Sequence, residues 1–237
     1  MIKFNLEDLD DIKQKGLYLK LEDSTTLELS QSVIEEKYNN FIQDPSLFTE
    51  EMKEISQFRK CAVCPYKDDK KVVCTALKPI IPFLHIVDKY VSFNKIFAIY
   101  KYDETKSFDL AITDMQSGIK YLSVLSLFYY CSAGLKYWKY FAGIKPLMKV
   151  EEIAIKLYLN IYQHCGGNKN MIDDLLAKFM FDIKIINKDI VHRLRLICKN
   201  DVFYNSFVSA QVIPEFLTLD IDEIVKKHFI EHEKKAF

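Results

Sequence analysis

A group of three cysteines constrains this chain more than any other local pattern. Cys61 and Cys64 form a Cys-x2-Cys pair followed by Pro65, and nine residues separate Cys64 from Cys74. A Cys-x2-Cys pair on a tight turn places two sulfurs at the spacing that structural zinc sites use. A closed tetrahedral site needs four ligands, so the segment supplies three of them and predicts an incomplete metal site.

The fourth ligand has to come from elsewhere in the chain. His85 lies 11 residues after Cys74, and along a helix this separation is about 16 Å, too far for two ligands of one ion. Cys131 ends a strongly apolar predicted helix and is our first choice. The other candidates are His164, Cys165 and Cys198. We therefore predict a zinc site formed by Cys61, Cys64, Cys74 and Cys131.

Other chemistries of the same cysteines stay open. An iron–sulfur cluster also takes four cysteine thiolates. A redox dithiol at Cys61 and Cys64 is a further alternative, although no βαβ pattern flanks the pair. Free cysteine commonly packs as a small hydrophobic residue, and this is our interpretation of Cys131, Cys165 and Cys198 when each is taken singly.

Composition limits the class of protein. Hydrophobic residues make up 49% of the 237 residues, which predicts a folded globular chain and not a disordered one. Lysine plus arginine and aspartate plus glutamate balance at 33 each, so we expect no general binding to nucleic acid or to an anionic membrane. The start of the chain lacks the apolar stretch of a signal peptide, and the longest apolar run, 121–131, is too short for a membrane span. We expect a cytoplasmic protein, where clustered thiols indicate a metal more often than disulfides.

Hydrophobic patterns predict an α+β fold. Residues 2–6, 17–21 and 26–30 alternate with period two, and two further strands, 93–102 and 107–113, flank a turn at 103–106. Asp114 is a good N-cap for a helix over 115–131, and helical spacing continues over 150–165 and 171–199. We predict a small antiparallel sheet, an N-terminal hairpin plus a central strand pair, packed against a helical C-terminal half. The prediction is one domain over 1–237, sheet-rich over 1–114 and helical over 115–237.

Catalytic signatures are missing from the sequence. It contains no Gly-x-Gly-x-x-Gly, P-loop, Gly-x-Ser-x-Gly or His-Glu-x-x-His motif. Glu151 and Glu152 fall in the first turn of a predicted helix, where carboxylates favour the helix dipole. His228 and His232 lie on a charged predicted helix and indicate a solvated face. The interpretation leans away from an enzyme, while a site assembled only in three dimensions stays open.

The order of these motifs resembles a bacterial family catalogued as a domain of unknown function. The matching residues are Cys61, Cys64, Pro65 and Cys74, the helix start Gln116-Ser117-Gly118-Ile119, and Asp201, Asn205 and Pro214. This chain departs from the family after the central helix: it has Cys131-Ser132-Ala133-Gly134 in place of Ser-Gly-Cys-Pro, and it lacks a later histidine. The resemblance implies a metal at the cysteines and implies no activity.

These observations converge on one hypothesis and one alternative. The hypothesis is a cytoplasmic interaction or adaptor protein with a structural zinc site and an unidentified protein partner. The alternative is an iron–sulfur or thiol redox protein that uses the same four cysteines.

Overall fold

The computed structural model describes residues 9–10, 12–58, 60–102 and 107–217. Four antiparallel strands form one sheet in the order β2-β1-β3-β4. They are β1 (Gly16–Lys20), β2 (Thr26–Glu28), β3 (Lys95–Lys101) and β4 (Phe108–Asp114). The predicted hairpin and central strand pair are therefore confirmed. The predicted strand at 2–6, the turn at 103–106 and the segment with His228 and His232 lie outside the described residues.

Seven α-helices accompany the sheet in the described residues. They are α1 (Gln31–Gln43), α2 (Glu50–Gln57), α3 (Leu84–Val87), α4 (Met115–Val124), α5 (Val150–His164), α6 (Lys169–Ile197) and α7 (Val202–Phe216). The predicted α+β class, with helices concentrated in the C-terminal half, is confirmed. None of these helices combines the length and apolarity that crossing a bilayer requires.

The central helix begins as predicted but does not continue unchanged to Cys131. The Ser117 N–H donates to Asp114 Oδ1 at 2.8 Å, so Asp114 caps α4. An alanine at Gly118 would place its Cβ 2.2 Å from Ile96 Cδ1, so a glycine lets α4 lie close to β3. After Val124 the backbone widens into a π-helical turn, Leu125–Tyr130. Such turns are rare and recur at functional sites.

The segment after Cys74 is less regular than its apolar spacing predicts. The apolar spacing over residues 76–90, interrupted by Pro79 and Pro82, predicts a helix that starts late or is kinked. The structure instead forms two 3₁₀ turns, Thr75–Leu77 and Ile81–Phe83, and the four-residue α3. Pro79 and Pro82 explain the difference, because each lacks a backbone donor and its ring opposes a continuous helix. The apolar side chains of the segment are nevertheless buried.

Sheet and helices share one main hydrophobic core, which includes buried side chains from Leu17 to Leu217. The longest helix, α6, contributes the periodic side chains Ile172, Phe179, Ile183, Ile186, Ile190 and Leu194. The other face of the sheet holds a small separate cluster of Ile12, Tyr18 and Ile99. The C-terminal half of α6 lies against the cysteine segment, and this arrangement forms the candidate site.

Candidate functional site

Three separate chain segments bring four cysteines to the wall of one small cavity. Cys61 and Cys64 come from one turn, Cys74 from the entry to the first 3₁₀ turn, and Cys131 from the end of the π turn. The cavity has a volume of about 10 Å³, near the lower limit for admitting one water molecule. The predicted set of cysteines therefore meets at one place, although its last member lies 70 positions after its first.

Backbone hydrogen bonds fix the first three cysteines. The Cys64 N–H donates to the Cys61 carbonyl at 2.8 Å, which closes the turn of the Cys-x2-Cys pair. The Cys74 N–H donates to the carbonyl of Ser56, a buried residue in α2, at 2.9 Å. Cys61 is buried, whereas Cys64 and Cys74 are partly exposed. The segment is thus tied to α2 on one side and covers the cavity on the other.

Cys131 reaches the cavity because of the turn that follows the π segment. Its N–H donates to the Ser126 carbonyl at 3.0 Å, and the Gly134 N–H donates back to the Cys131 carbonyl at 3.0 Å. A Cβ at Gly134 would lie 1.8 Å from the Leu127 carbonyl oxygen, so this turn requires glycine. Beside it, Thr75 Oγ1 and Ser132 Oγ lie 3.1 Å apart and join the two walls of the cavity.

The environment of the cavity favours neutral thiols in the absence of a bound cation. Burial, together with the nearby thiols of Cys131, Cys64 and Cys74, raises the pKa of Cys61 to about 12. Burial also raises the pKa of Cys131 to about 11, although the backbone N–H of Gly134 favours its thiolate. A metal cation reverses this balance, because binding to the metal deprotonates a thiol.

Arg193 places a positive charge beside the thiols. Its side chain extends from α6, is only 1% exposed and lines the same cavity. Arg193 Nη1 donates to the Phe58 carbonyl at 3.1 Å, and the guanidinium lowers the pKa of Cys61. Sequence reasoning missed this residue, because it lies 62 residues beyond Cys131 in a regular helix. The only available signal was an arginine at an apolar position of the α6 stripe, between Ile190 and Leu194.

The four thiols line the same cavity, but they are not arranged with the geometry of a metal site. Across the part of the chain that the structure describes, no group of three or more Cys, His, Asp and Glu side chains is arranged to hold a metal ion. Bringing the thiols onto one ion therefore requires side-chain movement. The donor set itself fits zinc or another thiophilic metal, because it offers four cysteine sulfurs and a neighbouring cation.

The alternative ligands lie elsewhere, and none of them lines this cavity. The His164 ring stands edge-on to Tyr140, with centroids 5.2 Å apart. Burial, assisted by Asp88, raises the pKa of Cys198. Cys165 is buried at the C-terminal end of α5. Among the described candidates for a fourth ligand, Cys131 is the one that joins Cys61, Cys64 and Cys74 in this cavity.

Comparison with known proteins adds no relatives to this chain. Family models, curated proteins and solved structures were searched, and none of the three searches found a match. The resemblance to a bacterial family of unknown function therefore stays a prediction, and arguments about function rest on the geometry of the chain.

Proposed function

We propose that this chain is a cytoplasmic interaction or adaptor protein whose fold is fastened by one zinc ion bound to Cys61, Cys64, Cys74 and Cys131. One observation carries the metal part of the proposal. Four cysteines from three chain segments line a single cavity of about 10 Å³. Four cysteine sulfurs around one small cavity match the ligand set of a closed tetrahedral zinc site, and an iron–sulfur cluster, which takes the same four thiolates, stays the alternative.

Charge gives further support for a metal bound by thiolates. Four thiolates around Zn²⁺ carry a net charge of −2, which is costly to bury unless a cation lies nearby. Arg193 supplies a buried positive charge at the cavity wall. In this proposal the guanidinium offsets the charge of the thiolates, and groups of this kind around a metal site tune its affinity.

The proposed role of the ion is to hold an irregular segment in place. Residues 60–74 contain no helix or strand, so few backbone hydrogen bonds hold them. Ligation would join this segment to Cys131 at the end of the π turn. Structural zinc sites contribute folding free energy in this way.

The interaction part of the proposal rests on the edge of the sheet. Among the described strands β4 lies at the edge of the sheet, and its alternate residues Leu110 and Ile112 are 44% and 76% exposed. Natural proteins usually protect or charge such edges, because unpaired strands attract other chains. Two neighbouring apolar side chains on an edge strand support a partner-binding surface there.

Elemental analysis with a visible absorption spectrum, on protein purified without oxygen, tests the metal. We expect one zinc per chain in the wild type and in Cys165→Ser, which removes a buried cysteine outside the cavity. We expect loss of zinc in Cys74→Ser. Iron with visible absorption would replace the zinc proposal with the iron–sulfur alternative, and wild type without any metal would refute both.

Crosslinking in cells tests the interaction surface separately. We expect Leu110→Asp with Ile112→Asp to remove a specific crosslinked partner while zinc content stays unchanged. Phe181→Asp is the matched control, because Phe181 is 64% exposed on α6. A crosslinking pattern that is the same for wild type and the β4 variant would contradict a role for this edge.

A further inference from the structure

A second pocket, distinct from the cysteine cavity, opens where β1, β3 and the π turn meet. It has a volume of about 260 Å³, slightly below the range of typical small-molecule sites. Five aromatic side chains line it: Tyr100, Tyr121, Tyr129, Tyr130 and Trp138. All five are only partly buried, so they present ring surface to the pocket and not solely to the core.

The rings around this pocket are held in place from behind. Trp138 stacks on Phe141 with an interplanar angle of 7°, and Phe141 stacks on Phe128 with centroids 4.1 Å apart. Tyr129 stands edge-on to Trp138 at 5.2 Å, and its hydroxyl accepts a hydrogen bond from Gln31 Nε2. The wall is therefore prearranged, which lowers the entropy cost of binding a ligand.

The residues that line the pocket favour a flat aromatic ligand over a cationic ligand. Aromatic walls bind quaternary ammonium groups by cation–π attraction, and they also bind flat rings by stacking. None of the described residues that line the pocket carries a carboxylate, the group that would neutralise a bound cation. The lining therefore suits a neutral or anionic ligand better than a cationic one.

We infer that this pocket binds a small planar aromatic ring, neutral or anionic, that stacks on either Tyr129 or Trp138 and meets the other ring edge-on. Gln31 and Ser30 line the same pocket and supply polar groups for the edge of the ring. This inference does not depend on the metal: the pocket and the cysteine cavity have no lining residue in common.

The chain provides its own reporter for this site, because Trp138 is its only tryptophan. Adenosine and adenosine monophosphate are the ring probes, and ribose 5-phosphate and choline are the matched probes without an aromatic ring. Fluorescence is excited at the red edge of the tryptophan band, where adenine is transparent. We expect saturable quenching by the ring probes, and none by ribose 5-phosphate or choline.

Variants locate the binding. Tyr129→Ala should weaken it about tenfold or more, the effect of losing one stacking partner, whereas Tyr129→Phe keeps the ring and should keep most of the affinity. Tyr162→Ala is the control, because Tyr162 is 49% exposed on α5. If Tyr129→Ala fails to fold, Gln31→Ala at an exposed position and saturation-transfer NMR on the wild type take its place.

Three outcomes would overturn the inference. The first is no saturable quenching and no saturation transfer for either ring probe up to about 1 mM, the weak limit of specific binding. The second is equal affinity in wild type and in a folded Tyr129→Ala, which would locate binding elsewhere. The third is saturable binding of choline, which would make the pocket a cation cage.

Discussion

The C-terminal helices and the cysteine segment reach the same hydrophobic core in different ways. Helix α6 spans 29 residues and buries a side chain at every third or fourth position from Phe179 to Leu194, and its own hydrogen bonds satisfy its backbone. Residues 60–74 have neither helix nor strand, yet Cys61 is only 5% exposed and packs in that core. Apolar periodicity explains how α6 is held in the core. It does not explain how residues 60–74 are held there, so this segment needs an additional source of stability.

Removing the proposed metal should have the largest effect on this difference between the two regions. In Cys74→Ser, or after chelation of the wild type, we expect amide protection to collapse over residues 60–83 and to persist in α6. Structural zinc contributes on the order of 10 kcal/mol of binding free energy at neutral pH, so the local effect should be large. Hydrogen exchange with mass spectrometry measures it.

The matched control for that experiment is Cys165→Ser, which should leave both regions protected. Equal loss of protection in α6 and in the cysteine segment would show that the two regions unfold as one unit, and the contrast between them would then fail.

A second test addresses the helical region alone. Phe179 is fully buried and packs against Phe128 and Tyr137 at centroid distances of 5.6 and 4.9 Å. Phe179→Ala should lower the free energy of unfolding by about 3–5 kcal/mol. Phe181→Ala, at a 64% exposed site on the same helix, should change it by less than about 0.5 kcal/mol. Urea unfolding of the metal-free protein measures both, and similar losses in the two variants would contradict the packing argument.

A third test addresses Arg193, which joins the two regions. Arg193→Met removes the donor to the Phe58 carbonyl, so the metal-free protein should lose about 1 kcal/mol of stability or more. Zinc affinity should also fall about tenfold or more, because the variant removes the buried cation beside the thiolates.

Thermal melts of the metal-free protein measure the stability, and competition with a zinc chelator measures the zinc affinity. Arg195→Met changes an exposed arginine two residues away and should leave zinc affinity unaltered. A loss of stability in metal-free Arg193→Met, with zinc affinity unchanged, would assign Arg193 to packing alone.

The smallest expected effect is a pH dependence within the helical region. Burial alone would raise the pKa of Asp182, but hydrogen bonds from Lys136 and Tyr137 outweigh it and lower the pKa below its usual value of 3.8. Its carboxylate accepts the Tyr137 hydroxyl at 2.6 Å and lies 2.5 Å from Lys136 Nζ. Because the folded-state pKa is lowered, this contribution is present above about pH 4 and is lost as the pH falls through the folded-state pKa.

Asp182→Asn should therefore flatten the acid limb of the stability curve, measured by urea unfolding between neutral and acid pH. Asp174→Asn, at an exposed position of α6, should leave that limb unchanged. A steep acid limb that persists in Asp182→Asn would show that other carboxylates cause it.

Local chemistry explains which parts of this fold could be predicted. Period-two alternation predicted the strand pairs. Asp114 predicted the start of α4, because an N-cap depends on a local hydrogen bond. Helix α1 was missed because only Ile34 and Phe41 of its residues are buried, which gives almost no helical pattern. The π turn was missed because residues 121–131 are nearly all apolar, so no face of the helix is marked.

The candidate site divides in the same way. The spacing of Cys61, Cys64 and Cys74 is a local motif, and Cys131 was chosen because it ends an apolar helix. Arg193 and the aromatic pocket depend on contacts between distant segments, which one sequence without a known fold does not reveal. Whether the four cysteines bind zinc stays a prediction for elemental analysis.

The π turn Leu125–Tyr130 sets the positions of side chains in two otherwise separate sites. It carries Tyr129 and Tyr130 into the aromatic pocket, and Cys131 follows it directly into the cysteine cavity. Deleting one residue from this turn would restore α-helical geometry and rotate everything after it by about 100°. A single codon lost here would therefore misplace both sites at once, so related chains should conserve the length of this stretch more strictly than its composition.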